Sequence, residues 1–196
     1  MSESIKVSKE EFAEALLHWV AMHTSRKGMK QDARVFDFTS DKPLESREGK
    51  ELFGLNLSNR KQCAILLEEL MALNIWIVVV TCENKLKDLE KRNTCLDIFH
   101  RRFFDQFLKD NVEGFEQWME YLEAKYDEYR EAMKTCESKD LIAFGELIQR
   151  NLHGERYPSA LWNWQIVVYV GEGIKALGKA LDQYKIGVRG FEPPTT

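Results

Sequence analysis

The closest approach to a chemical signature lies near the C-terminus, where Gly173-Ile-Lys-Ala-Leu-Gly178-Lys179-Ala180 follows the apolar run Ile166 to Val170. A phosphate-binding loop needs glycines so that backbone amides can curl round phosphates, a lysine for the β and γ charges, and a Ser or Thr hydroxyl on magnesium. Ala180 stands where that hydroxyl belongs, and only 16 residues follow, too few for strands carrying a metal-binding Asp. The same residues make a good helical stripe, so they read as helix, with Gly171 and Gly178 marking close approaches of another helix.

A second candidate is the acidic row Glu116, Glu120, Glu123, Asp127 and Glu131 on one side of a helix. Paired carboxylates in a bundle can hold two metal ions, but that arrangement needs Glu-x-x-His on two other helices, and the nearest thing here is Asp97-Ile-Phe-His100. The row reads as a solvated face, partly offset by Lys125 and Arg130, that could meet a basic partner. A third candidate is basic: Lys85, Lys87, Lys91 and Arg92, then His100-Arg101-Arg102 among Phe99, Phe103 and Phe104. Basic groups beside aromatics suit single-stranded nucleic acid. Glu83, Asp88, Glu90 and Asp97 interleave with them, however, and backbone binding needs uncompensated positive charge.

His18, His23, His100 and His153 are scattered and join no metal or nucleophile motif. Cys95 and His100 are five apart, which puts them on different sides of one helix. No catalytic, cofactor-binding or metal-ligating set is therefore assigned, and no cofactor is expected. What stands out instead is a surplus of large rings: Tyr157, Trp162, Trp164 and Tyr169 cluster in one segment, and Trp118 sits beside Met119. On a helix Trp162 and Trp164 point about 200° apart, so one is expected to be buried and the other to reach a groove, a second subunit or the surface.

These residues need elements to hold them. Ser8-Lys-Glu-Glu11 is a capping box, so a first helix begins there with Phe12, Leu16, Trp19 and His23 on one face. Residues 24–57 turn polar and irregular, with Gly28, Pro43, Gly49 and Gly54 and a short extended candidate at Val35-Phe36-Asp37-Phe38. A connection of that length is more often functional than idle. From near Ser58, Cys63, Leu66, Leu70, Leu73, Ile77 and Val80 follow a packed helical seam, apolar on other faces too, as expected of a central buried helix. A third helix carries Leu96, Phe99, Phe103 and Phe107. A fourth carries Phe115, Met119, Leu122, Tyr126, Tyr129 and Met133, and these two are expected to form an antiparallel hairpin. Ser138 can cap a fifth helix bearing Leu141, Phe144, Ile148 and Leu152. Pro158 suits the first turn of a sixth that carries Trp162, Ile166, Tyr169, Gly173, Leu177, Leu181 and Tyr184.

The whole is expected to be an all-α, single-domain bundle of about six helices over 1–196, with 24–57 irregular and 187–196 a flexible tail. The alternative is an α/β fold with strands at 75–80 and 166–170, because both runs are β-branched. At 196 residues and 44% apolar content the chain can bury a proper core. Its four cysteines, spaced by 19, 13 and 41 residues, read as buried cytosolic thiols. The N-terminal residues show neither a secretory nor a transit pattern, so a cytoplasmic location is expected. The most apolar run, Leu70 to Cys82, is 13 residues long, short of the roughly 20 that span a bilayer. A net charge of −4 names no partner.

The function expected from this is a soluble binding or protein-interaction protein, probing its partner or a second copy of itself with Trp118, Tyr157, Trp162, Trp164, Glu116, Glu120, Glu123 and Asp127. The alternative is a small-molecule-binding bundle or enzyme in which residues 24–57 act as a lid.

Overall fold

The structure is a computed structural model that describes residues 5–110, 112, 114–137, 142–154 and 159–186. Ser138, Leu141, Tyr157, Pro158, the side chain of Cys136 and the tail 187–196 lie outside the described residues.

The chain is all-α, with seven helices among the described residues: α1 (Lys9–Thr24), α2 (Arg26–Val35), α3 (Arg60–Lys85), α4 (Leu89–Phe107), α5 (Phe115–Glu137), α6 (Ile142–His153) and α7 (Ala160–Leu181). Two small sheets accompany them. β1 (Ile5–Val7) pairs in parallel with β4 (Tyr184–Ile186), so Tyr184, expected on the last helix, lies instead in a strand beyond the end of α7, and β2 (Glu51–Leu52) forms a hairpin with β3 (Leu55–Asn56).

The α1 capping box forms as read, with the Ser8 hydroxyl accepting from the Glu11 amide and the Glu11 carboxylate accepting from the Ser8 amide. The seventh helix is α2, in the segment expected to be irregular. Ser25 ends α1 in an extended conformation, and its hydroxyl then accepts from the Gly28 amide, so one serine stops the first helix and starts the next. The elbow is tight, because a side chain at Gly28 would fall 1.8 Å from the Met22 carbonyl oxygen. The expected extended stretch at Val35–Phe38 is instead the end of α2 and the bend after it.

α3 is the central element, and both suspected strands are helical: 75–80 lies inside α3 and 166–170 inside α7. A β-branched run is stable as helix when every face is covered, because burial then rewards apolar residues all round and the helix satisfies its own amides. Ile75, Trp76, Ile77, Val78 and Val79 are all buried, with α1, α6 and α7 packed against α3. At 26 residues α3 is longer than the apolar run that marked it, and by length and composition it could cross a membrane. Yet 61% of its most apolar stretch is buried inside the protein, as befits a core helix.

The expected α4–α5 hairpin is looser than read. The backbone of α4 packs chiefly on α1, and that of α5 on α6. Rings hold the two apart: Phe103 stacks on Trp118 at 5.7 Å, Phe104 meets Phe115 edge-on at 5.6 Å, and His100 Nε2 lies 3.0 Å from the Tyr126 hydroxyl. A buried carboxylate ties α3, α5 and α6 together. Glu69 accepts from the Tyr129 hydroxyl (2.8 Å), Asn151 Nδ2 (2.9 Å) and Lys125 Nζ (3.1 Å).

Candidate functional site

Residues 36–50 cross from α2 to the hairpin as a strap, and one side chain pins it. The Arg47 guanidinium donates to the carbonyls of Lys42 (3.1 Å), Arg34 (3.3 Å), Ser40 (3.2 Å) and Asp37. Five donors in a rigid fork let arginine gather several carbonyls that would otherwise face water singly. The Asp37 carboxylate accepts from the Thr39 amide (3.1 Å) and hydroxyl (2.6 Å), folding the strap's first turn. Gly49, at φ +59°, lets the strap lie on α2, where a side chain would meet the Lys30 carbonyl at 2.4 Å.

The hairpin that follows turns on Phe53 and Gly54, both left-handed at φ 52° and 78°. Two positive φ angles suit a two-residue hairpin, but a bulky residue there is strained by about 1–2 kcal/mol. Phe53 is held by what surrounds it. Its ring is buried and meets Tyr169 edge-on at 5.4 Å, and its carbonyl accepts from His153 Nε2 at 2.8 Å. His153 in turn stacks on Trp162 at 5.0 Å, while Gly54 presses on the Trp162 ring, where a Cβ would come within 2.3 Å. Strain of this kind persists where surrounding contacts over-determine it, and it marks functional segments.

Strap, hairpin, α2 and the start of α7 line a half-open cavity of about 280 Å³. Its walls are polar: Thr39, Ser40, Lys42, Glu48 and Lys50 from the strap, and Gln165 from α7. Gln165 is the informative residue. It is 6% exposed and has no hydrogen-bond partner among the described residues, and neither polar atom of its carboxamide is among those sealed from solvent. Its carboxamide thus keeps access to solvent at the cavity wall, where it can hydrogen-bond to what the cavity holds.

A smaller cavity of about 130 Å³ lies beyond Tyr169, beside Trp19, Phe36 and Gly173. At its edge the Asp32 carboxylate sits 3.1 Å from His23 Nδ1. No hydroxyl or thiol is hydrogen-bonded to that imidazole, and no group of three metal-ligating side chains occurs among the described residues.

The residues singled out from the sequence fall in different places. Trp162 is half-buried and forms the cavity's wall, whereas Trp164 is 54% exposed, so the expected opposition of the two holds. Trp118 is 3% exposed, within the ring cluster between α4 and α5, and lines a groove of about 480 Å³ with Met71, Leu108 and Tyr121. Glu116, Glu120, Glu123 and Asp127 are exposed along α5, far less offset than expected, because Lys125 turns inward to Glu69 and only Arg130 approaches Asp127, at 3.7 Å. Tyr157 lies outside the described residues.

The near phosphate loop is continuous helix. Gly178 does face another helix, with Lys85 Cε 3.1 Å from where its Cβ would be, but Gly171 has nothing within 4 Å, and the other close approach on α7 falls at Gly173, beside Ile77. Asp97 points to solvent while His100 is buried, and burial lowers the His100 pKa to about 4. Burial also raises the Cys95 thiol to about 11 and Cys82 to about 12, so neither is a ready nucleophile. Much of the basic segment is engaged, at Lys85–Asp182 (2.6 Å), Lys91–Asp88 (3.5 Å) and Arg102–Glu14 (2.9 Å), with Arg101 over the Phe115 ring, while Lys87 and Arg92 have no ion pair among the described residues.

Sequence reasoning missed Gln165, Arg47, His153 and the His23–Asp32 pair. Gln165 lies between two apolar neighbours on a helix and shows no pattern of its own, whereas the density of polar and Gly residues in 24–57 did mark the strap. In comparisons with known proteins the chain matches no family, no curated protein and no solved structure.

Proposed function

We propose that this chain is a small-molecule-binding helical bundle, with the strap and hairpin as the cover of a polar site. The observation that carries this reading is Gln165, a residue 6% exposed at a cavity wall whose carboxamide has no hydrogen-bond partner among the described residues. A glutamine side chain offers one donor and one acceptor side by side, which pairs with a planar edge carrying N–H next to C=O or a ring nitrogen. The ligand class is thus a small planar polar molecule with an amide-type edge, such as a nucleobase, a lactam or a primary amide. At about 280 Å³ the cavity is near the lower end of ligand pockets. Its charges, Lys42 and Lys50 against Glu48 and Asp37, balance, which favours a neutral or zwitterionic molecule.

The test is native mass spectrometry on gently purified protein, with thermal melts in adenine, uracil and nicotinamide. An added mass that leaves on denaturation, or a melting rise with one of these probes that Gln165→Leu abolishes, supports the reading. No retained mass and no probe response in the wild type, with Gln165→Leu simply more stable, overturns it.

The three cysteines with described side chains, Cys63, Cys82 and Cys95, are free thiols, which supports the cytoplasm as the compartment. Partner binding is the second reading, favoured by the exposure of Trp164.

A further inference from the structure

α7 carries two seams. The inner one, Ile166, Tyr169, Val170, Leu177 and Leu181, is buried. On the opposite side Leu161, Trp164, Val168, Gly171 and Lys175 are spaced 3, 4, 3 and 4, the alternation by which one helix meets another. Among the described residues this outer seam is largely uncovered: Leu161 is 38% exposed, Trp164 54%, Val168 is partly buried against the core, and a Cβ at Gly171 would touch nothing within 4 Å. A glycine in an open helix interior costs about 1 kcal/mol relative to alanine, and none of the described residues uses the space it leaves.

We infer that α7 pairs antiparallel with α7 of a second copy of this chain, across a two-fold axis between residues 169 and 170. That register opposes Val168 to Gly171 of the partner subunit and Trp164 to Lys175 of the partner subunit. Both pairings are complementary. The valine side chain fills the gap over the glycine, and the ammonium lies over the indole, the ring that attracts a cation best. Lys175 is available for this, since its bond to Glu172 (3.3 Å) is between two exposed groups and is worth little. Symmetry makes each contact occur twice. One helix pair is at or below the roughly 1,200 Å² of a stable interface, so the dimer dissociates in the micromolar range. This surface is remote in role from the strap cavity and stands or falls independently of it.

The test is sedimentation velocity from about 1 to 300 µM, with helix content by circular dichroism as the control for folding. Wild type should shift from monomer to dimer over that range. Trp164→Ala, Lys175→Glu and Gly171→Leu should each weaken association at least tenfold, whereas Lys175→Arg should retain it. A wild type that stays monomeric at 300 µM overturns the proposal, and so does a dimer that Gly171→Leu leaves intact.

Discussion

Among single residues, His100 makes the sharpest thermodynamic statement. Its Nε2 faces the Tyr126 hydroxyl at 3.0 Å inside the α4–α5 ring cluster, and burial lowers its pKa from 6.5 to about 4. Between those two values the unfolded chain binds a proton that the folded chain refuses. The stabilisation is thus fully present above pH 6.5 and is lost as the pH falls toward 4, by on the order of 3 kcal/mol. Urea unfolding of wild type and His100→Gln at pH 7, 6, 5 and 4 isolates this from the carboxylates common to both. The wild type should lose about 3 kcal/mol more than the variant, and parallel curves would show His100 to be solvated. The sequence named His100 only as a neighbour of Asp97, because which side of a helix is buried depends on the helices around it. The same holds for Gln165 and Trp118, whose roles depend on partners many residues away.

At the scale of elements, hydrophobic spacing located every long helix, and local chemistry located the α1 cap. The number and pairing of helices were less legible. α2 has only a short apolar stripe, Met29 and Ala33 running on into Phe36, within the polar segment RKGMKQDARV, so its helical state also rests on the Ser25 cap and on docking to α1. Two glycines show how context decides an element's packing. Gly145 lies where α6 crosses α7, and a Cβ there would meet the Asn163 carbonyl oxygen at 2.6 Å and its Cα at 2.7 Å. Backbone cannot yield as a side chain does, so Gly145→Ala should destabilise by about 1–3 kcal/mol despite its better helix propensity. Gly171→Ala, in open space, should stabilise by about 0.5–1 kcal/mol in thermal melts at low micromolar concentration, while weakening self-association. Equal effects of the two substitutions would contradict the observed crossing.

Across the whole molecule, the chain closes on itself. Ile5 pairs with Tyr184, Lys6 with Lys185 and Val7 with Ile186, and Phe12 meets Tyr184 edge-on at 6.3 Å. No pattern in the sequence announced this pairing, since three residues a side are too few to show a strand period and the partners lie at opposite ends of the chain. Its extent also limits what it stabilises. A two-stranded pair is marginal by itself, and of its six residues only Val7 is buried in the core, so the junction should open locally rather than with the bundle. Deleting residues 1–7 should therefore lower stability by only about 1–2 kcal/mol, a few degrees in a chain of this size. In hydrogen–deuterium exchange the deletion should release the amides of 184–186 and the end of α7 while α3 keeps its protection. Loss of protection throughout α3 would mean instead that the joined ends are part of the cooperative unit, and that the bundle is held shut at its seam as much as by its core.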